Sequence, residues 1–351
     1  MPLDLTNAQA KQYLDAAAAF EGLRQVEREA LSYRGGMHWK TAANGKAYLY
    51  KTKDRLGNAT SLGAKSPETE DIYSNFTRRK NELSERLKAI REGLATHQRL
   101  NAALRLGTVP NEVADVCAAI DKAGLMGKSV MVIGTNAMHA YGFLGGVRFE
   151  ADIMATTDVD LLWSHKSKLS LAASEEILSS GGLLGVLKRA DKSYTIDANS
   201  NFRARASSGF MVDLIRQMPR PPWADEPDRF FEGDLVATDI HNMDWLLSAP
   251  HIEQPVIAVD GRVVALTVPD PRAFAAFKFW LSKSDERDPL KKRRDASQAA
   301  AVVTLLEQRL PHLNKWGAFK SFPKDVFANI ATARADDAAS GRSKQIRRPR
   351  P

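Results

Sequence analysis

Apolar residues recur every three to four positions in two stretches of the N-terminal part of the chain, which is the period of an amphipathic helix. Residues 4–32 carry Tyr13, Phe20 and Val26 in this pattern, and we predict a helix there. From Pro67 to about Leu106 the same period returns, with acidic and basic side chains three or four residues apart. Such pairs stabilise solvated helices, so we predict a second, long and partly solvated helix.

Between these two helices the pattern changes to alternation. The segments "MHWKTA" and "KAYLYKT" alternate on either side of an "ANGK" turn, which is typical of a β-hairpin. The segment "ATSLGAKS" adds a candidate third strand. A small β-sheet followed by a long helix is therefore predicted for this region.

The segment "GTVP" at residues 107–110 interrupts the long helix and marks a boundary. After it we predict helices at Asn111–Ala123 and Lys168–Ser180, and strands at "SVMVIG", "TDVDLLW", "YTIDANSNFRARAS" and "SGFMVDLIRQM". Further along, "PVIAVDGRVVALTV" indicates a hairpin with a "DG" turn. The segments "PDPRAFAAFKFWLSKS" and "RRDASQAAAVVTLLEQRL" indicate two more helices.

This mixture predicts an α+β fold with a mixed sheet and flanking helices. Residues 1–106 are predicted to form the N-terminal helix, small sheet and long helix, and residues 107–220 are predicted to form the catalytic domain with the mixed sheet. Residues 221–335 are predicted to form a C-terminal hairpin and helical domain. Residues 336–351 contain too little apolar surface to fold and are predicted to be a disordered basic tail.

The amino-acid composition limits the classes of binding partner that we expect. The chain has 351 residues and a net charge of +8, which favours an anionic partner such as nucleic acid, nucleotide or anionic lipid, although a solvated basic surface gives the same charge. The single cysteine, Cys117, lies on the apolar face of its predicted helix and is expected in the core, so a disulfide framework is excluded. The N-terminus has no basic start followed by an apolar stretch, and no run of about 18 apolar residues occurs. These features predict a soluble, cytoplasmic protein without membrane contact.

Three aspartates carry the candidate chemistry. Asp158 and Asp160 in "DVDLL" are separated by one residue, so on a strand both point to the same face and Val159 to the other. Asp213 in "GFMVDLI" is set among apolar residues, where a carboxylate is costly unless it is paired or bound to a metal. Asp197 in "TIDAN" is an alternative third carboxylate with more polar surroundings.

A phosphate-binding turn precedes these residues. In "VIGTNA" a strand runs into Gly134 and Thr135 and then into a helix, whose first N–H groups and whose hydroxyl suit an anionic phosphate. Phosphoryl transfer needs bound divalent cations and hydrogen-bond donors for the phosphates. The aspartates are suited to bind the cations, and the turn provides the hydrogen-bond donors.

The order Gly134-Thr135, Asp158, Asp160 and Asp213 resembles the nucleotidyltransferase superfamily typified by polymerase-β-like enzymes. Two sequence segments are similar to a little-characterised bacterial group of that superfamily, and generically to abortive-infection-type toxins with this fold. They are "GTNAMHAYGFLGGVRFEADIMATTDVDLLW" and "PDPRAFAAFKFWLSKSDERDPLKKRRDASQA". The resemblance covers about residues 111–310. Thr135 stands where serine or glycine is usual, and it retains a hydroxyl.

The resemblance implies an enzyme that uses Mg²⁺ or Mn²⁺ to transfer a nucleoside monophosphate from an NTP to a hydroxyl, with release of pyrophosphate. By this resemblance Asp158 and Asp160 hold both metals, and Asp213 binds the catalytic metal and helps to deprotonate the acceptor. Gly134 and Thr135 hold the triphosphate.

Three further residues are implied at the nucleotide. Lys278 in "AAFKFWL" contacts the triphosphate by resemblance, and a lysine whose ammonium reaches solvent from the edge of a core is the alternative. Arg294 and Asp295 match a basic residue and an aspartate that approach the nucleotide in related toxins. The alternative for this basic run is a solvated helix start.

The N-terminal hairpin is a candidate nucleic-acid-binding surface. Alternating aromatic and cationic residues suit base stacking and phosphate contact. The hairpin interleaves aromatic side chains with lysines, which are Trp39, Tyr48 and Tyr50 and Lys40, Lys46 and Lys51. Packing of the rings on the following helix is the alternative. The acceptor is expected to be RNA, a protein or a small molecule, and the basic charge together with the N-terminal region favours RNA. DNA is a further possible binding partner. Two other functions stay open, which are nucleic-acid binding without turnover and a metal-dependent phosphohydrolase.

Overall fold

The computed structural model describes residues 2–53, 57–164, 181–224, 229, 232–313, 319, 322, 323 and 326. Contacts between Cα atoms divide the chain into two compact units. One comprises Lys11–Leu106 and Gly261–Val263, and the other comprises Met1–Ala10, Gly107–Asp260 and Val264–Pro351. The helix predicted at Lys168–Ser180 and the basic tail predicted at 336–351 lie outside the described residues. The predicted division at residue 221 stays a prediction.

The first part of the chain contains two long helices and four strands. In chain order the elements are β1 (Leu3–Asp4), α1 (Asn7–Leu31), β2 (Met37–Thr41), β3 (Ala47–Thr52), β4 (Ala59–Ala64) and α2 (Pro67–Ala103). Strands β2, β3 and β4 form an antiparallel sheet in that order, so the hairpin and the third strand are confirmed.

Local capping fixes where both helices begin. The Ser66 hydroxyl accepts from Thr69 N at 3.3 Å, and the Thr69 hydroxyl accepts from Ser66 N at 2.9 Å, which forms a capping box in front of α2. Thr6 and Gln9 exchange the equivalent bonds at 3.2 and 3.1 Å in front of α1. The prediction that α1 begins at residue 4 was wrong, because this box starts the helix at Asn7 and leaves two residues free to form β1.

The second unit contains the larger sheet. Its remaining elements are α3 (Asn111–Lys122), β5 (Val130–Ile133), α4 (Ala137–Gly145), β6 (Val147–Arg148), α5 (Ala151–Met154), β7 (Asp158–Trp163), α6 (Gly182–Ala190), β8 (Thr195–Asp197), β9 (Ser200–Arg205), β10 (Met211–Gln217), β11 (Thr238–Ile240), α7 (Met243–Ser248), β12 (His251–Ile257), β13 (Val263–Pro269), α8 (Pro271–Lys283) and α9 (Pro289–Arg309). Most of these elements were predicted from periodicity. The α+β fold with a mixed sheet and flanking helices is confirmed.

Six strands form the central sheet in the order β5-β7-β10-β9-β8, with β11 also paired to β10. β7 and β10 are parallel neighbours, whereas β5 pairs antiparallel with β7 and β9 antiparallel with β10. β7 and β10 are almost fully apolar apart from their aspartates and the end of β10, as expected for central strands covered on both faces. The two middle strands therefore place their aspartates side by side.

Two smaller pairs complete the second unit. β1 pairs antiparallel with β6, and β12 pairs with β13 as the predicted "DG" hairpin. The Tyr141 hydroxyl in α4 donates to the Pro269 carbonyl at 2.7 Å, and its ring meets that of Phe274 in α8 edge-on. α8 and α9 pack along each other. Among the described helices, none is long and apolar enough to cross a membrane.

Candidate active site

The register of the central sheet brings three aspartates together. Asp160 lies opposite Asp213 in the parallel pair of β7 and β10, and Asp158 lies two residues earlier on the same face. One carboxylate oxygen from each of the three lies within 4.8 Å of the other two. Carboxylate oxygens are the preferred ligands of hard divalent cations, so this donor set fits Mg²⁺ or Mn²⁺.

Gly134 begins the turn that faces this cluster. β5 pairs Ile133 with Asp160, so the next residue meets the aspartate side chain. Gly134 has a φ of +65°, and a Cβ built there would overlap Asp160 Oδ2. Glycine is needed at this position for two reasons, because an L side chain would strain the backbone and would also occupy the space of the carboxylate.

Behind the turn, buried polar groups fix the residues that follow Gly134. The Asn136 side-chain amide donates to the Asp158 carbonyl at 2.7 Å and so ties the turn to β7. Gln298 of α9 is fully buried and donates to Thr135 Oγ1 at 3.0 Å and to the Ile153 carbonyl at 2.7 Å. Since Thr135 Oγ1 accepts this bond, the hydroxyl can still donate its own proton to another group.

Lys278 and Asp295 form a buried ion pair beside the cluster. Lys278 Nζ contacts Asp295 Oδ1 at 2.7 Å, and Arg287 Nε contacts Asp295 Oδ2 at 2.8 Å. Asp295 is completely buried, so its carboxylate is held between these two cations. Lys278 also interacts electrostatically with Asp160. The alternative of a lysine reaching solvent was wrong, because Lys278 is 5% exposed and paired within the core.

Arg294 lies at a different place from its neighbour Asp295. Its Nη1 donates to the Ala155 carbonyl, at 3.2 Å, in the segment that leads into β7. The structure thus places Lys278 and Asp295 in one buried cluster with Arg287, and places Arg294 against the backbone before the acidic strand. Their contact with a nucleotide stays a prediction.

The pKa of Asp160 is shifted by burial and by the other carboxylates of the acidic cluster. Burial, together with the charges of Asp158 and Asp213, raises the pKa of Asp160 from 3.8 to about 7. The cation of Lys278 acts in the opposite direction but does not cancel this effect. Burial in turn lowers the pKa of Lys278, while Asp295 raises it. A bound divalent cation would favour the ionised form of Asp160, so the cluster is poised for one.

The third carboxylate has a close partner. Arg203 of β9 donates from Nε to Asp213 Oδ1 at 2.7 Å and from Nη2 to Asp213 Oδ2 at 2.6 Å. Asp197, the alternative third carboxylate, is instead bound by Arg205, with Nη2 to Oδ2 at 2.8 Å. Among the described residues, the acidic group that could hold a metal contains Asp213 and does not contain Asp197.

The N-terminal hairpin separates its aromatic residues between two faces. Trp39 lies opposite Leu49, which is fully buried, and its ring lies 6.0 Å from that of Tyr73 in α2. Lys51 shares this face, with its ammonium 5.6 Å from the centre of the Phe76 ring in α2. Trp39 and Lys51 therefore pack towards α2, as the alternative interpretation expected for the rings.

The opposite face of this sheet carries a different set of side chains. Tyr48 lies opposite Lys40, and Tyr50 lies opposite His38 with the two rings stacked at 6.0 Å. Tyr48 and Tyr50 are partly exposed, His38 and Lys40 are exposed, and Lys46 is exposed in the turn. We call His38, Lys40, Tyr48 and Tyr50 the outer face.

Sequence reasoning missed Arg203, Arg287 and Gln298. Arg203 lies in an alternating run that indicates a strand, but its partner depends on the register between β9 and β10. Gln298 lies in an alanine-rich helix, where one polar residue gives no signal of its function. These residues could have been identified only if a basic or amide side chain had been predicted to lie on the buried face of its strand or helix.

Comparison with known proteins bears on the second unit. A family model described as a nucleotidyltransferase matches residues 111–322, which include the three aspartates, the Gly134 turn and the Lys278 pair. A search of curated proteins gave no match, and a search of solved structures gave none. The similarities to polymerase-β-like enzymes and to toxins stay predictions. Because the family match spans more than half of the sequence, the chain belongs to the nucleotidyltransferase family.

Proposed function

We propose that this protein is a Mg²⁺-dependent enzyme that transfers a nucleoside monophosphate from an NTP to a hydroxyl acceptor and releases pyrophosphate. The observation that carries the proposal is the cluster of Asp158, Asp160 and Asp213, whose oxygens lie within 4.8 Å of one another beside the Gly134 turn. The family match supports nucleotidyl transfer in general. Mn²⁺ has the same ligand preference and is expected to substitute.

In this proposal Asp158, Asp160 and Asp213 hold the metal ions. The ions would neutralise the charge of the triphosphate and of the attacking oxygen when bound. Asp213 helps to remove the proton of the acceptor hydroxyl. The acceptor oxygen then forms a bond to the α-phosphorus, while the bond from that phosphorus to the pyrophosphate oxygen breaks.

The remaining residues bind and orient the nucleotide. The Thr135 hydroxyl, held by Gln298, donates to a phosphate oxygen. The N–H groups at the start of the helical turn have no partners within the helix and are suited to the same anion. Lys278 offsets negative charge at Asp160 from its buried position.

We also propose that the acceptor is RNA or another single-stranded nucleic acid. The outer face of the N-terminal sheet supports this, because Tyr48 and Tyr50 are partly exposed beside the cation of Lys40. Aromatic side chains next to cations stack on bases and contact phosphates. The net charge of +8 favours the same class of partner.

The test is a transfer assay with the full chain. We would incubate the protein with α-³²P-labelled NTPs, Mg²⁺ and either total RNA or cell lysate, and then separate labelled macromolecules from free nucleotide. Transfer by the wild type and none by Asp158→Asn is the expected result. Asp197→Asn is the matched control, because Asp197 is a strand carboxylate held by an arginine but outside the cluster.

The same reactions, assayed in addition for free inorganic phosphate and pyrophosphate, separate the alternatives. Release of inorganic phosphate instead of pyrophosphate would indicate a phosphohydrolase. Nucleotide or RNA binding without labelled product in any extract would favour a binding protein without turnover. Normal transfer by Asp158→Asn would refute the proposed metal site.

A further inference from the structure

Arg203 forms an ion pair with Asp213, a carboxylate that the proposed metal site needs as a ligand. It lies directly opposite Asp213 in the antiparallel pair of β9 and β10. Its Nε and Nη2 contact the two carboxylate oxygens at 2.7 and 2.6 Å, which is the two-pronged geometry of a strong arginine–carboxylate pair. The side chain of Asp213 is 9% exposed and that of Arg203 is 25% exposed, so the carboxylate is largely shielded while the guanidinium still meets solvent.

Both oxygens of Asp213 are used by this contact. A divalent cation that takes Asp213 as a ligand needs at least one of them. Each oxygen keeps a second lone pair, but a cation bound there would lie beside the positive guanidinium, and like charges at this distance repel. Arg203 and the cation therefore compete electrostatically for the same carboxylate. The competition is local, because in the described part of the chain Asp213 is the one member of the cluster that is ion-paired with an arginine. Lys278 and Arg287 influence Asp160 electrostatically.

A displaced guanidinium stays in the site. Arg203 is always charged, and its pKa is raised further by the bond to Asp213 and by the nearby charge of Asp158. It is carried on a strand paired directly to β10, opposite Asp213, so its guanidinium stays within reach of the cluster. Once Asp213 binds a cation, Arg203 needs another anion, and a triphosphate is the anion that the proposed function brings to this place.

We propose that Arg203 holds Asp213 in the metal-free protein, releases it when the divalent cation binds, and then contacts the phosphates of the incoming nucleotide. Arg203 is thus a nucleotide-binding residue whose availability depends on the metal. This inference rests on the proposed function, because it takes the aspartate cluster as the metal site. It makes metal and nucleotide binding cooperative through one side chain.

Arg205 provides a matched control. It lies two residues further along β9, so it points to the same face, and its Nη2 contacts Asp197 at 2.8 Å. Asp197 does not belong to the metal-binding group. Replacing Arg205 therefore removes an equal charge from the same strand without freeing a proposed metal ligand.

The first experiment measures Mn²⁺ binding by titration calorimetry, without nucleotide, on the full chain. Arg203→Gln is expected to bind Mn²⁺ roughly 5- to 150-fold more tightly than the wild type, the usual range for coupling between two sites. Arg203→Lys retains the charge but loses the two-pronged contact, so its affinity should lie between the two. Arg205→Gln should match the wild type within about twofold. A mere folding defect would weaken binding, so tighter binding distinguishes competition from damage.

The second experiment measures binding of a non-hydrolysable NTP analogue at saturating Mn²⁺. Arg203→Gln should weaken this binding roughly tenfold or more, as expected for loss of a charged hydrogen bond to phosphate, whereas Arg205→Gln should leave it unchanged. Thermal melting with and without Mn²⁺ shows whether each variant is folded, and Mn²⁺ should raise the melting temperature of Arg203→Gln more than that of the wild type.

Asp158→Asn separates failure of this inference from failure of the proposed function. If Mn²⁺ binds the wild type and not Asp158→Asn, but Arg203→Gln and Arg203→Lys bind Mn²⁺ no more tightly than the wild type, the competition is refuted and the metal site stands. If Arg203→Gln binds the nucleotide as well as the wild type does, the phosphate contact is refuted. If Asp158→Asn binds Mn²⁺ like the wild type, the cluster is not the metal site and both proposals fall.

Discussion

Asp160→Asn is expected to stabilise the metal-free protein at about pH 8, although it removes a proposed metal ligand. The pKa of Asp160 is raised to about 7 by burial and by Asp158 and Asp213. Between about pH 4 and pH 7 the folded protein therefore retains a proton that the unfolded chain releases. The free energy of unfolding of the wild type falls as the pH rises through this window and levels off above it.

The size of the effect follows from the same values. A pKa of about 7 in place of 3.8 corresponds to an upper limit of about 4 kcal/mol, at 1.36 kcal/mol per pH unit. Solvent reaches part of the Asp160 side chain, and exposure weakens such effects, so we expect a gain of roughly 1–3 kcal/mol at about pH 8. At about pH 5 the wild-type carboxyl is protonated, and the gain should nearly vanish.

Urea denaturation in the presence of EDTA at both pH values measures this difference. Asp197→Asn is the control with the opposite sign, because the Asn199 N–H and Arg205 lower the pKa of Asp197. Its charged form stabilises the folded state above the pKa of the unfolded chain, so this variant should be less stable than the wild type at about pH 8. Adding Mn²⁺ should stabilise the wild type and not Asp160→Asn. Equal stability of the wild type and Asp160→Asn at about pH 8 would contradict the electrostatic account of the cluster.

Three other substitutions test separate parts of the structure. Gly134→Ala should abolish Mn²⁺ binding measured by calorimetry, because the methyl group overlaps the carboxylate. Gly146→Ala, with a similar φ of +67° but open space around it, should cost about 1–2 kcal/mol of stability and retain binding; loss of binding in both would point to backbone strain alone. Lys278→Met should lower the free energy of unfolding in urea by roughly 1.5–3 kcal/mol, since it removes a charged bond from a buried aspartate, and unchanged stability would refute the importance of that pair. Tyr48→Ala should weaken single-stranded RNA binding, measured by fluorescence anisotropy, by roughly 1–3 kcal/mol with little change in melting temperature. Trp39→Ala should mainly lower the melting temperature, measured by thermal melting. Unchanged RNA binding by a folded Tyr48→Ala would remove the outer face from the proposal.

Much of the fold could be predicted because most elements are long enough to show a period. The strands around Asp158 and Asp213 are short apolar runs. Their aspartates were predicted to share one site from strand geometry and from the cost of an unpaired carboxylate among apolar residues, and the motif order also resembled a known family. The parallel pairing that brings them together is a property of the sheet, and no local pattern encodes it. β1 was missed since two residues carry no period.

The partners of the site residues were harder to predict. Arg203 and Arg205 alternate on β9 and are equivalent in sequence, yet one binds Asp213 and the other binds Asp197. Register decides which arginine meets which carboxylate, and register depends on the whole pair of strands. Lys278 and Asp295 were both predicted site residues, but their ion pair was not predicted. It depends on the packing of α8 against α9, which no local pattern encodes.

The close approach of Gly134 and Asp160 also constrains how this sequence can change over evolution. The two positions share one volume, since the carboxylate of Asp160 fills the space that a side chain at Gly134 would need. A larger residue at 134 can therefore be accepted only after position 160 has become smaller, and that first change removes a proposed metal ligand. A lineage that loses the aspartate escapes the steric constraint on the glycine and keeps only the cost of its positive φ. Descendants without activity should therefore change more readily at both positions, whereas active ones should retain both.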